Sequence, residues 1–205
     1  VHGISVHLSG TPYHLVVTPY RLGDDPLDPV RYICETGSAD GIIFSRTEPD
    51  DARVRYLLAN GLPFATHGRT ESAVQHPYFD FDNARYAEIA VARLARRGRR
   101  RIALLAPPER YTFARHMGQG FLTALERHDL SEVPVHGISA DSPADEIEAA
   151  IARLMASRQP PDGLVCASPS AAIAAVAGVE AAGASLGREI DVATKDSFGL
   201  IHRFR

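Results

Sequence analysis

Short apolar runs alternate with amphipathic stretches from one end of this 205-residue chain to the other. The runs are 14–19 (HLVVTP), 41–45 (GIIFS), 64–67 (FATH), 101–106 (RIALLA), 133–139 (VPVHGIS), 163–168 (GLVCAS) and 190–194 (IDVAT). Each is short and apolar on both faces, the pattern of a parallel strand buried between two layers, and each is predicted as a strand. Between them, Phe113, Met117 and Phe121 recur at i, i+4 and i+8, and Ile147, Ile151 and Leu154 at i, i+4 and i+7. Those spacings put the apolar side chains on one stripe of a helix. Asp50 and Ser142 stand where N-caps are expected, and Gly61 and Gly183 where a left-handed residue ends a helix.

Strand and helix alternating this often predict an α/β fold with parallel sheets. The alternation restarts around Arg99 without a Pro/Gly-rich linker. Two doubly wound lobes are therefore expected, residues 1–99 and 100–205, with their strand ends facing a shared cleft.

Composition narrows the classes. With 45% hydrophobic and 23% charged residues the chain is an ordinary globular sequence. Lys195 is the only lysine among 22 basic residues, and the net charge of −3 offers no general attraction to a phosphate backbone. Cys34 and Cys166 lie far apart in apolar surroundings, which predicts small buried residues of a cytoplasmic protein and no metal site. No apolar run reaches the 18 or so residues of a membrane span, and the first residues show no basic stretch followed by an apolar one, so no signal peptide is expected among them.

No nucleotide or metalloprotease signature occurs: GxxxxGK[ST], GxGxxG and HExxH are all missing. The histidines are scattered, so no catalytic or cofactor role is expected. Six arginines crowd between Arg93 and Arg101. A nucleic-acid patch is one reading. The plainer one is a helix end, where cations offset the negative pole of the helix dipole, followed by a turn at Gly98.

The loops after the apolar runs carry more information. In open α/β sheets ligands collect at the carboxyl ends of strands. Those positions hold Ser45, Arg46, Asp82, Asn83, residues 111–115, Ser168, Lys195 and Asp196. Carboxylates that accept, guanidinium groups that donate and aromatic faces together suit a sugar. Singly, each is as well explained as a cap or turn residue.

At this point the order of segments resembles the LacI/GalR family of transcription regulators over nearly the whole chain. ADGIIFSRTEPDDARVRYLLANGLPFATHGR (39–69) is similar to that family's stretch from DGII through GIPVV to DR. YFDFDNARYAEIAVARLARRGRRRIALLAPP (78–108) resembles its V-DN…A…HL…GHRRIA segment, and RHMGQGFLTAL (115–125) its R-x-x-G-F-x-x-AL. PDGLVCASPSAAIAAVAGVEAAGASLGREIDVATKDS (161–197) looks like its P-A-I-x-A-x-ND…G-FDD stretch. Met117 stands where the family usually has arginine, with Arg115 two residues earlier. Ser168 and Pro169 stand at the ND pair, and Asp196 is the retained first aspartate of FDD.

The resemblance implies the effector-binding core of a repressor with a type I periplasmic-binding-protein-like fold. It also implies a small sugar-like effector, a homodimer, and operator DNA engaged only through a helix-turn-helix that these residues do not include. The match begins after the family's first core strand and ends before its last strands and helices. It marks Ser45, Arg46, Asp82, Arg115, Met117, Ser168 and Asp196 as ligand-binding candidates. The rivals are a periplasmic sugar-binding protein of the same architecture and a small flavodoxin-like enzyme. With no recognition helix and a net negative charge, these 205 residues alone should show no sequence-selective DNA binding at physiological salt. An anisotropy titration giving tight, sequence-dependent binding would contradict that expectation.

Overall fold

The structure, a computed structural model, describes residues 2–19, 21 and 23–195. In chain order its elements are α1 (His2–Leu8), α2 (Asp28–Thr36), β1 (Ile42–Ser45), α3 (Ala52–Asn60), β2 (Phe64–His67), β3 (Tyr78–Phe79) and α4 (Asn83–Arg96). There follow β4 (Arg101–Leu105), α5 (Thr112–His128), β5 (Ser131–Glu132), α6 (Ala144–Met155), β6 (Gly163–Cys166), α7 (Pro169–Ala181) and β7 (Asp191–Thr194). The strands form two sheets, one ordered β1-β2-β3 and the other β5-β4-β6-β7. Every pairing within the second sheet is parallel, as is β2 with β3. The chain divides into two compact units, Val1–Ile43 with Asp51–Phe64, and Phe44–Asp50 with Ala65–Arg205.

In the first unit, α3 is held by its own start. The Asp51 side chain accepts from the Arg53 backbone N–H at 3.0 Å, and the Arg53 guanidinium returns to the same carboxylate at 3.0 and 2.7 Å. Both side chains are almost fully buried, so each charge depends on the other. The cap is therefore Asp51, one residue beyond the expected Asp50. Gly61 ends the helix at φ 69°, the left-handed position a side chain disfavours.

The core of the second unit is a sheet dry on both faces. Alternate residues of a strand point to opposite sides, and β4 and β6 use this fully. Ala103, Leu105, Leu164 and Cys166 join Ile147, Ile151 and Val179 under α6 and α7. Ile102 and Val165 face the other way, joining Val91, Leu94 and Phe121 under α4 and α5. All four residues of β6 are buried. Burial pushes the Cys166 thiol up to about 12. Cys34, expected to be buried like Cys166, is only half-buried.

Because α4 packs onto β4 and β6, the second core takes in α4 from Ala87 onward and does not begin at Arg100. The apolar stripe of α4 (Ala87, Ala90, Val91, Leu94) lies in the second unit together with residues 100–195, so the units do not divide at 99/100 as the sequence suggests. The arginine cluster follows the helix-end reading. Arg93 and Arg96 lie in the last turn of α4 and Gly98 turns at φ 84°. Arg97 and Arg99 both bond Asp191 at the start of β7, at 2.8 and 2.6 Å. Burial works against the Asp191 charge, but the two guanidinium groups outweigh it and hold the carboxyl below the usual carboxylate range.

Two expected strands are not formed. Residues 14–19 are irregular and their side chains stand in solvent, Val16 at 74% and Val17 at 60% exposure. Among the described residues neither a ladder nor a covering layer holds that apolar run extended. Of the region near 133–139, pairing is confined to β5 at Ser131–Glu132, just before the expected run. Ser142 does not cap α6, whose N-cap is Pro143; its hydroxyl instead accepts from the Ser139 N–H at 3.0 Å. The stripes at Phe113, Met117 and Phe121 and at Ile147, Ile151 and Leu154 do fall on helices α5 and α6.

Two glycines let the helices approach. A Cβ on Gly120 in α5 would collide with the Ala84 backbone in α4, and one on Gly178 in α7 with Glu148 O and Ile151 in α6. Gly118, two residues from Gly120 on the same helix, faces open space. Gly120→Ala should therefore destabilise the fold by about 1–3 kcal/mol through overpacking. Gly118→Ala should stabilise it by about 0.5–1 kcal/mol through helix propensity. Thermal melts of the two variants check the contrast, and equal shifts would exclude a close α4–α5 contact.

Candidate functional site

Loops at the carboxyl ends of strands in the second unit converge around one turn, Tyr111–Thr112 at the start of α5. Directly after β1, Arg46 takes a left-handed backbone at φ 58°, unusual for a side-chain-bearing residue. Its guanidinium meets Asp141, Nη1 to Oδ2 at 3.0 Å and Nη2 to Oδ1 at 3.4 Å. The preceding Ala140 is anchored to the end of β4, its N–H donating to Ala106 O at 2.7 Å. The Thr112 N–H donates to Thr47 O at 2.9 Å. These contacts join the loop after β1 to two loops after strands of the second sheet.

Aromatic and charged groups complete the arrangement. The Tyr111 and Phe113 rings stack at 5.4 Å with planes 8° apart. The Arg46 and Arg110 guanidinium groups lie 5.7 and 4.7 Å from the Tyr111 ring centre. Arg110 faces Glu48 at 3.9 Å, and Arg115 faces Glu71 at 3.2 Å. His116 Nε2 stands 3.5 Å from the same Glu71 carboxylate. The Thr112 hydroxyl, on a residue 1% exposed, has no hydrogen-bond partner among the described residues.

Of the residues singled out from the sequence, Ser45 closes β1 and Arg46 and Arg115 enter this cluster. Asp82 is spent on the backbone, capping α4 by accepting from the Arg85 N–H at 2.8 Å. Ser168 likewise caps α7 through the Ala171 N–H at 3.2 Å. Met117, on α5, is completely buried against α4 and the sheet, so its thioether packs the core and presents no surface to a ligand. Asp196 lies outside the described residues. Glu48, Glu71 and Asp141 were not foreseen. Asp141 follows the apolar run 133–139, and that position was its one visible signal.

Lys195, at the end of β7, has a site of its own. Its ammonium donates to Asn83 Oδ1 at 2.8 Å and sits 4.5 and 5.0 Å from the ring centres of Phe81 and Tyr86. The Asn83 amide is fixed in turn by donating to Phe81 O at 2.8 Å. The Tyr86 hydroxyl donates to Cys166 O at 2.7 Å, tying α4 to the end of β6. Burial, only partly offset by Asp80, lowers the Lys195 pKa below its ordinary 10.5. Among the described residues no group of three His, Cys, Asp or Glu side chains could hold a metal ion. None of the described helices is long and apolar enough to cross a membrane.

The geometry can be set beside known proteins. Residues 91–201 match the periplasmic binding protein-like domain family. The HTH-type transcriptional regulator AglR of Rhizobium meliloti (strain 1021) is 27% identical over 187 residues, covering 90% of this chain and 52% of AglR. A putative transcriptional regulator from Yersinia pestis biovar Microtus str. 91001 is 26% identical with a TM-score of 0.78, covering 93% of this chain and 68% of that one. The transcriptional regulator CelR, solved as its cellobiose complex, is 25% identical with a TM-score of 0.77, covering 94% of this chain and 58% of CelR. The chain spans 39–57% of the length of the curated relatives it matches.

A lysine with a depressed pKa makes the folded state hold its proton less tightly than the unfolded one. Stability should therefore rise with pH between the folded Lys195 midpoint and about 10.4, the value of a free lysine. As the only lysine, Lys195 gives a single side-chain signal after reductive ¹³C-methylation. Its NMR titration midpoint should fall below that of a methylated lysine in a model peptide. A midpoint at or above it would place the ammonium in open water.

Proposed function

This chain belongs to the periplasmic binding protein-like domain family, and from that premise we propose that it is the ligand-sensing core of a LacI-type transcription regulator. A small sugar-like effector binds at the strand-end loops of the second unit. The protein acts in the cytoplasm as a homodimer, and operator DNA is engaged through a helix-turn-helix outside these 205 residues. The sheets β1-β2-β3 and β5-β4-β6-β7 belong to the two lobes of that core. Support comes from relatives named as HTH-type regulators and from the sugar complex of CelR.

One observation carries the reading: arginines, carboxylates and a stacked aromatic pair converge at strand ends, where this class of sheet collects ligands. Ser45, Arg46, Arg115 and Asp196 are the proposed contacts. Asp82 and Ser168 serve as helix caps that shape the loops. A ligand there shifts DNA affinity only by binding one conformation better than the other.

The complete gene product, titrated onto DNA from upstream of its own gene, should change operator affinity by about 5–150-fold when its sugar is added. Arg115→Ala should weaken sugar binding by about tenfold or more while leaving sugar-free DNA binding intact. A sugar panel that never alters operator affinity would refute the regulator reading.

A further inference from the structure

We propose that the ligand of this site is an uncharged polyol, not a sugar phosphate or sugar acid, and that Arg46 and Asp141 hold it by giving up their contact with each other. This rests on the ligand-binding reading above and sharpens it to a chemical class.

Charge balance at the site carries the inference. Three arginines reach the cluster, and each already faces a carboxylate: Arg46 with Asp141 at 3.0 Å, Arg110 with Glu48 at 3.9 Å and Arg115 with Glu71 at 3.2 Å. Arg69, just before Glu71, is bound to Asp80 at 2.7 Å. Lys195 has its ammonium on Asn83 and over two rings. The cationic charge described around these loops is therefore matched or already engaged. A phosphate or carboxylate ligand would have to take an arginine from its partner and leave that partner's negative charge behind. For Asp141, whose side chain is only 23% exposed, the abandoned charge would sit largely out of water. Breaking such a pair from one side is much costlier than exchanging one hydrogen bond for another.

A neutral hydroxyl makes that exchange without residue. It donates to the Asp141 carboxylate and accepts from the Arg46 guanidinium, so both charges keep a hydrogen-bonded neighbour. Only Nη2 to Oδ1 is a hydrogen bond, at 3.4 Å; Oδ2, 3.0 Å from Nη1 but buried without a hydrogen-bond partner among the described residues, can accept from one of two adjacent hydroxyls on a sugar ring. The neighbouring groups fit the same class. Tyr111 and Phe113 offer stacked apolar faces beside Arg46, suited to the C–H face of a sugar. Between them the buried Thr112 hydroxyl lacks a partner among the described residues, which a further ligand hydroxyl can supply when the loops part.

The test is calorimetric titration of the full chain with matched probes. One set is neutral: glucose, galactose and cellobiose. The other is charged: glucose 6-phosphate, galactose 6-phosphate, glucuronate and galacturonate. At least one neutral sugar should bind, and no charged probe should bind more tightly than its neutral parent. Asp141→Asn removes the negative charge that faces Arg46. It should weaken the neutral sugar by about tenfold and raise the preference for the corresponding uronate by about tenfold. Arg46→Gln should weaken the neutral sugar without that gain, and it keeps the test intact if Asp141→Asn fails to fold. A charged probe that outbinds its neutral parent overturns the class but leaves a sugar-binding function standing. An unchanged ratio of neutral to charged affinity in a folded Asp141→Asn protein overturns the role of the pair. No response to either set overturns the ligand-binding reading itself.

Discussion

Keeping β6 dry is the constraint on which the rest of this structure depends. Its four residues are buried on both faces, so every backbone N–H and carbonyl between them needs a protein partner. β4 on one side and β7 on the other supply those partners through parallel ladders. The helices then follow from the side chains, α6 and α7 covering Leu164 and Cys166 while α4 and α5 cover Val165. Since parallel strands all end on one edge, this arrangement delivers the loops after β4, β6 and β7 to the same side of the sheet. The cluster around Tyr111 forms along that edge.

The polar contacts distribute a second task over long sequence distances. Arg97 and Arg99 reach Asp191 to pin the far edge strand, and Arg101 N–H and Arg100 N–H share the Asp162 carboxylate at 2.8 Å to set the start of β6 against β4. Within a run of arginines that could pass for a phosphate-binding patch, the Arg97 and Arg99 side chains are thus committed to holding strands in register. The chain's one lysine stands where a compact ammonium fits between two rings and an amide oxygen. A planar guanidinium carries its charge over a wider, flat group and fills that space differently.

The fold was largely legible because its strongest signals are local. Runs at 101–106, 163–168 and 190–194 became β4, β6 and β7, since apolar residues on both faces leave a short segment few alternatives. The run at 14–19 looked equally convincing, yet a strand exists only where a neighbour completes its ladder, and no local pattern reports the neighbour. The site was less legible for the same reason. Arg46 and Asp141 are 95 residues apart, and neither carries a motif that names the other. Asp82 and Ser168 attracted attention by chemistry that suits a ligand, but a short carboxylate or hydroxyl before a helix is first of all a cap. Met117 was misplaced by its register in a motif, while its i, i+4 spacing from Phe113 and Phe121 had already assigned it to the core.

The burial of Cys166 has a kinetic consequence. Only the thiolate reacts with alkylating agents and oxidants, and a thiol held near 12 is ionised to about one part in 10⁵ at neutral pH. Its backbone carbonyl is occupied by Tyr86 and its side chain lies wholly beneath α6 and α7, so reagent can reach the sulfur only when the sheet opens. Alkylation of Cys166 thus becomes a clock for the opening of the second core, running at the rate at which that core is breached. Half-buried Cys34 in the first unit keeps separate time. The two thiols make each unit's opening individually measurable within one molecule.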